Sequence, residues 1–235
     1  MKRLLDTFYR LTNYNIKIIF GNKFVYFVIS AVILYIVTVL IHLISDIEFL
    51  ESTAYNILLV PSVLIIFYPM CFGIQNDQDA KIIEIIFGIP NYRYKVWLFR
   101  LLIAYLICFA ITCLLVFLTD WLLVDVSILE LTLQILVPAL FIGSLSFMLS
   151  TIIKNGNGTA VVVMIVCLLF FILEENAGLS TSKWNLFFNP FELPLDTNPS
   201  IHYSTLIDNR VILAIASILF LLVGLYKTQE REKFI

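Results

Sequence analysis

Six stretches of this 235-residue chain are apolar over the length that a membrane-spanning helix requires, which is ~20 residues. They lie at about 24–45, 56–74, 99–119, 131–153, 159–173 and 211–226. The fifth stretch is short, so we expect it to extend into its flanks or to be tilted. Because 61% of the residues are hydrophobic and 14% are charged, the composition excludes a soluble globular fold. The sequence therefore predicts an all-α, polytopic membrane protein with six transmembrane helices, in one domain spanning 1–235.

The charges between these spans alternate along the chain. The N-terminal region, the 75–98 connection with Arg100, the 154–158 turn and the C-terminal tail together hold 13 of the 15 Lys and Arg residues. The other connections hold 11 of the 17 acids and only two basic residues, Lys183 and Arg210. Cytoplasmic loops are enriched in Lys and Arg. We therefore expect both termini to be cytoplasmic, in the cell (inner or plasma) membrane.

Residues 1–22 carry a helical pattern of charge ahead of the first span. One polar stripe and an opposite aromatic and aliphatic face predict an amphipathic helix that lies in the membrane interface. Three cations on the stripe would anchor this elbow helix to headgroups of membrane lipids: Arg3, Arg10 and Lys17. A soluble amphipathic helix that packs on a partner is the alternative. No small-residue cleavage pattern follows the first span, so we expect no removable signal peptide.

The connection at 75–98 begins with a polar run, Gln75 to Asp79, whose acids are typical of a helix start. An isoleucine-rich stretch follows, and Gly88 to Pro90 would end that helix. A helix this short cannot span the bilayer, so its apolar side must be buried elsewhere. The underside of the membrane bundle and a soluble partner subunit are the two candidates.

This connection resembles the coupling region of the permease subunits of type-2 ABC exporters. That family often has an acid at the start, a glutamate six residues before a proline, and basic residues three and ten after it. The matching residues here are Asp77, Glu84, Pro90, Arg93 and Arg100, whereas Lys81-Ile82 replaces the family's Gly-Thr pair. The N-terminal helix, the Gly143-Ser144 region of the fourth span and Asn189-Pro190 in the outer loop are similar to the family as well.

The resemblance implies an export mechanism for a hydrophobic or amphipathic substrate such as a peptide or bacteriocin, a drug or a lipid. Two permease chains would pair, as a homodimer or a paralogous heterodimer, and two copies of a cytosolic ABC ATPase would dock beneath them. The residues expected to shape the coupling segment are Asp77, Glu84, Gly88, Pro90 and Arg93. The chain has no GxxxxGK[ST] phosphate loop, so ATP and Mg would be held by the partner ATPase.

The remaining chemistry-bearing residues indicate no catalytic, cofactor or metal site in this chain, and no basic run indicates nucleic acid. We find no charged residue deep in any span, which favours a subunit powered from outside over an ion-coupled pump. The cysteines lack metal-binding spacing and are expected to be small apolar residues: Cys71, Cys108, Cys113 and Cys167. The connection at 174–209 is expected to form short interfacial helices that gate an exit path or cap a dimer.

Two other function classes stay open. A non-transport membrane scaffold or sensor subunit would need no coupling segment. An intramembrane protease is disfavoured, since Glu174-Glu175 lacks the arginine that CAAX-type proteases place four residues later, where this chain has Leu179. The Gly143 to Ser146 run also lacks the closing glycine of a rhomboid-type motif, and the two histidines, His42 and His202, are far apart in sequence.

Overall fold

The structure, a computed structural model, describes residues 24–45, 49–81, 86, 88, 92–176, 182–193 and 198–229. These ranges contain no β-strand, and six of their helices are long and apolar enough to cross a membrane. The predicted all-α, six-span, multi-pass architecture is therefore confirmed. The predicted elbow helix with Arg3, Arg10 and Lys17 lies outside the described residues.

The helices are α1 (Phe24–Ile44), α2 (Glu51–Asp79), α3 (Phe99–Leu122), α4 (Ile128–Ile153), α5 (Gly156–Asn176) and α6 (Pro199–Lys227). A π-helical turn, Arg93–Leu98, leads directly into α3. The short fifth stretch does extend into its flanks, as expected, and reaches 21 residues in α5.

Two predicted boundaries are wrong. Gln75 to Asp79 do not start a separate helix, because they form the last residues of the 29-residue α2. Much of the predicted outer connection at 174–209 is also helical, since α5 continues to Asn176 and α6 begins at Pro199. Asn198 caps α6 by accepting a hydrogen bond from the Ser200 N–H at 3.0 Å, and proline suits the first helical position.

Helices α2 and α4 occupy the centre of the bundle, while α1, α5 and α6 present most of their surface outwards. Hydroxyl groups join the inner helices. Thr112 of α3 donates to the Ser62 hydroxyl of α2 at 3.1 Å, and the hydroxyls of Tyr105 in α3 and Ser144 in α4 lie 3.0 Å apart. Such bonds between helices stabilise bundles in lipid, where apolar side chains gain little by leaving an apolar solvent.

Contacts between the helix ends define two faces of the bundle. At one face, which we call the basic end, Tyr92 donates to the Thr228 carbonyl at 2.6 Å and the Gly156 N–H donates to Gln75. At the opposite face, the acidic end, the loop between α5 and α6 contacts the start of α2 through Asn189. The two ends separate the same connections that the charge pattern separates.

Two of the helices that finish at the basic end are followed by a lysine with a left-handed backbone. Lys81 follows α2 with a φ of 54°, and Lys154 caps α4 with a φ of 59°. The Lys154 N–H donates to the Ser150 carbonyl at 3.0 Å, which completes the last turn of α4. This backbone region is the usual one for a helix end, although glycine is its commonest residue.

Candidate functional site

A crevice of about 880 Å³ lies between α2 and α5. Residues from 56 to 67 form its α2 wall and residues from 164 to 171 form its α5 wall. Within each wall the lining positions recur every three or four residues, so each wall is one face of a helix. Apart from the Asn56 amide and the Cys167 thiol, the lining side chains are hydrocarbon or thioether groups. Its volume lies in the range of small-molecule sites, ~300–1,000 Å³.

The flank of this crevice is open to the surface of the bundle. Val60 on one wall is 57% exposed, and Met164 and Phe171 on the other are 50% and 58% exposed. Both walls belong to candidate membrane spans. The opening therefore lies on the side of the bundle, between two helices that are apolar enough to cross a membrane.

At the basic end the two walls converge on Gly156. Its N–H donates to the Gln75 side-chain oxygen at 2.5 Å. A Cβ at this position would collide with the ring of Phe72 and would lie 2.8 Å from the same Gln75 oxygen. Glycine therefore allows α5 to approach α2 closely here, and this approach closes the crevice at its basic end.

At the acidic end, residues 182–193 form what we call the cap segment. Its Phe187 lines the crevice, and the neighbouring Leu186 and Phe188 are buried. The Asn189 amide donates to the Ser52 carbonyl at 2.9 Å and to the Asn56 side-chain oxygen at 3.1 Å, both in α2. The cap segment thus contacts the polar residue of the crevice wall directly.

A second set of polar contacts holds the cap segment from α6. The fully buried Asn209 donates to the carbonyls of Lys183 and Asn185 at 3.0 and 2.7 Å. The His202 ring nitrogen Nε2 lies 3.2 Å from the Pro190 carbonyl. The imidazole of His202 also stacks on the Phe188 ring, with 5.2 Å between centroids.

Arg210 joins three elements at this end. Its Nε donates to Gln134 of α4 at 2.8 Å, and its Nη2 donates to the Tyr55 hydroxyl of α2 at 3.4 Å and the Phe188 carbonyl of the cap segment at 3.2 Å. Its Nη1 donates to the neighbouring Asn209 at 2.9 Å. Arg210 lies within α6, whereas the sequence predicts it in the outer connection. Its partners are distant in sequence, so no local pattern marks this role.

The predicted coupling residues fall in different places. Asp77 is 1% exposed and forms an ion pair with Arg100 at the start of α3. The Arg100 guanidinium also lies 5.4 Å from the centroid of the buried Trp97 ring. Gly88 is an exposed turn residue. Glu84, Pro90 and the side chain of Arg93 lie outside the described residues.

The other candidate groups are separate from one another. His42 contacts the Thr38 carbonyl of its own helix, far along the chain from the contacts of His202 described above. The four cysteines are free thiols. Among the residues that the structure describes, no cluster of three or more His, Cys, Asp or Glu side chains is placed to hold a metal ion.

Comparison with known proteins adds no relative. No protein-family model matches the chain, and no curated protein or solved structure is significantly similar to it.

Proposed function

We propose that this chain is the permease subunit of an ATP-driven ABC exporter that moves a hydrophobic or amphipathic molecule out of the cytoplasm. The observation that carries the proposal is the crevice between α2 and α5, which is apolar, of ligand size and open on the side of the bundle. A peptide, a drug or a lipid matches its chemistry.

The size of the crevice favours a transport path over a static scaffold. Protein interiors pack nearly as densely as organic crystals, with few voids larger than a water molecule. Two spans held apart over several turns lose dispersion contacts that close packing would supply. A lipid chain or a substrate restores those contacts when it enters, so the separation of α2 from α5 is suited to an exchangeable occupant.

The lining of the crevice also favours an external source of energy. Its twelve residues include no acid, base or histidine. Ion-coupled transporters place ionisable groups along the path. A separate ATPase that binds ATP and Mg would therefore supply the energy, as the resemblance to the permeases of type-2 ABC exporters implies.

The 75–98 connection is the proposed docking site for that ATPase. The exposed Gly88 and Tyr94 follow the end of α2 at the basic end. Behind them, the buried Trp97, Asp77 and Arg100 fix the start of α3 against α2. A force applied to this connection would thus be passed directly to the helix that forms one wall of the crevice.

The crevice is tested by filling it. The chain is purified from its native membrane with its partners, and ATP hydrolysis is measured with and without a panel of hydrophobic substrates. Val60→Trp places an indole in the crevice, and we expect an affinity loss of roughly tenfold or more, the equivalent of about 1–3 kcal/mol of steric cost. Leu114→Trp, at an outward position of α3 that is 58% exposed, is the matched control and should behave like the parent.

The coupling segment is tested in the same preparation. Glu84→Gln and Arg93→Gln should abolish substrate-stimulated hydrolysis while leaving the amount of membrane protein unchanged. A scaffold or sensor subunit would leave hydrolysis as it was in both variants. Purification without any nucleotide-hydrolysing companion would refute the exporter proposal.

A further inference from the structure

We infer that Arg210 is a positioning residue that holds the cap segment over the acidic end of the crevice and so controls access of water to it from that end. The inference rests on the proposed function only in treating the crevice as a substrate path. Its physical content, the closure of the crevice by a polar clasp, can be measured without ATP, substrate or partner.

The guanidinium group of Arg210 contacts three separate elements. Arg210 donates to α2 through Tyr55, to α4 through Gln134 and to the cap segment through the Phe188 carbonyl. These three elements do not adjoin in sequence, and one planar group with fixed donor directions fastens them together. Lysine could not reproduce this arrangement, because its ammonium group is a single point of contact.

The part of the cap segment that Arg210 holds lies next to the crevice. Phe187 lines the crevice, one residue before the Phe188 carbonyl that Arg210 holds. On the far side of that carbonyl, Asn189 is fastened to Asn56, which also lines the crevice. The clasp and the closure therefore lie within three consecutive residues of the cap segment.

The polar contacts that hold the cap segment are hydrogen bonds. The cap segment is held by the buried side chains of Leu186 and Phe188 and by a polar clasp. The clasp consists of hydrogen bonds from Arg210, Asn209 and Asn189, and water can replace these bonds. A polar clasp allows the segment to detach when water enters and to rebind afterwards, as the outer closure of a transport path requires.

The native cysteines provide a reporter. Cys167 lines the crevice, whereas Cys71 and Cys108 are both 0% exposed. In a Cys113→Ser background, the reaction of Cys167 with a charged, membrane-impermeant methanethiosulfonate therefore measures entry of water into the crevice, since the reactive thiolate needs a polar environment. The purified chain in lipid nanodiscs exposes both ends to the reagent, and its orientation in the cell need not be known.

We expect slow labelling of the background protein and labelling at least about tenfold faster in Arg210→Gln, which loses charge-assisted hydrogen bonds to the cap segment. Arg210→Lys should fall between the two. Asn189→Ala removes the hydrogen bonds of the Asn189 amide to α2 and changes no charged residue. It should also accelerate labelling. Lys183→Gln is the matched control, because this cap-segment cation forms only an exposed ion pair with Asp208 at 3.7 Å.

Counting the labelled thiols by mass spectrometry separates opening from unfolding. Opening of the cap segment modifies Cys167 alone, whereas loss of the fold also exposes Cys71 and Cys108. Parental labelling rates in both Arg210→Gln and Asn189→Ala would overturn the inference, as would accelerated labelling of all three thiols together. If Arg210→Gln does not fold, the rate of Cys167 labelling in Asn189→Ala tests the inference by itself. Absence of an ATPase partner would refute the proposed function and leave this result unaffected.

Discussion

Replacing Asp77 with asparagine removes the negative partner of a guanidinium group that has almost no contact with solvent. The side chains of Asp77 and Arg100 are 2% and 9% exposed, and their ion pair joins the end of α2 to the start of α3. The variant keeps the shape of the side chain and one hydrogen-bond acceptor. It leaves the charged, buried Arg100 beside a neutral amide in place of the Asp77 carboxylate.

The expected loss of stability follows from removing the negative charge beside a buried guanidinium. Removing one member of a buried ion pair costs ~3–5 kcal/mol. The remaining amide oxygen still accepts from Arg100, so we expect Asp77→Asn to fall near the lower value, at about 3 kcal/mol. The contact of Arg100 with the Trp97 ring is present before and after the change, so it does not offset the loss.

The double variant Asp77→Leu/Arg100→Met distinguishes this reasoning from a simple loss of contacts. Two apolar side chains replace both charges, and we expect its stability to lie within ~1 kcal/mol of the parent, since such replacements are often neutral. The assay is reversible unfolding in mixed micelles with increasing SDS, followed by tryptophan fluorescence. It is applied to Asp77→Asn, to the single variants Asp77→Leu and Arg100→Met, and to the double variant. A cost below ~1 kcal/mol for Asp77→Asn, or a double variant that costs as much as the two singles together, would refute it.

Two further predictions use the same unfolding assay. Gly156→Ala should destabilise the protein by ~1–3 kcal/mol, since the new methyl group collides with Phe72. The control Gly73→Ala, with nothing within 4 Å of its Cβ, should not destabilise it. Equal losses of stability in both variants would contradict the close approach of α5 to α2. Tyr92→Phe should cost about 1–3 kcal/mol, because it leaves the buried Thr228 carbonyl without its donor; an unchanged unfolding midpoint would show that this bond does not join α3 to the end of α6.

Hydropathy locates all six spans because each is a long run of residues that lipid tolerates, and that property depends on no other part of the chain. It places the end of α2 too early and the start of α6 too late. Asp77 and Arg210 look like residues of aqueous connections when each is scored alone. Both are paired with groups that only the fold brings near, so these contacts could not be predicted from the neighbouring sequence.

The Asn198-Pro199-Ser200 run, by contrast, is a local signal that predicts where α6 starts. An N-cap side chain followed by proline is typical of a helix beginning. The long outer connection obscured this signal, because long connections without regular structure are uncommon and its length suggested separate interfacial helices. A cap motif close ahead of a predicted span is thus a reason to extend that span.

The crevice could not be predicted from the sequence at all. Its lining residues, such as Val60 and Leu168, are of the same types as those that face lipid elsewhere on the bundle. What makes them a site is the distance between α2 and α5, and that distance depends on packing at both ends. The residues that fix it, Gly156 at one end and the cap segment at the other, are separated by much of the length of α5.

Lys81 and Lys154 show that a helix end can serve a second purpose. A non-glycine residue in the left-handed region carries a backbone strain of ~1–2 kcal/mol, which glycine at either position would avoid. Glycine would also remove a positive charge from one face of the membrane, and such charges set the direction in which a chain is inserted. Replacing either lysine with glycine would therefore relieve backbone strain and at the same time lower the positive charge of the basic end, the kind of charge on which insertion of membrane proteins generally depends.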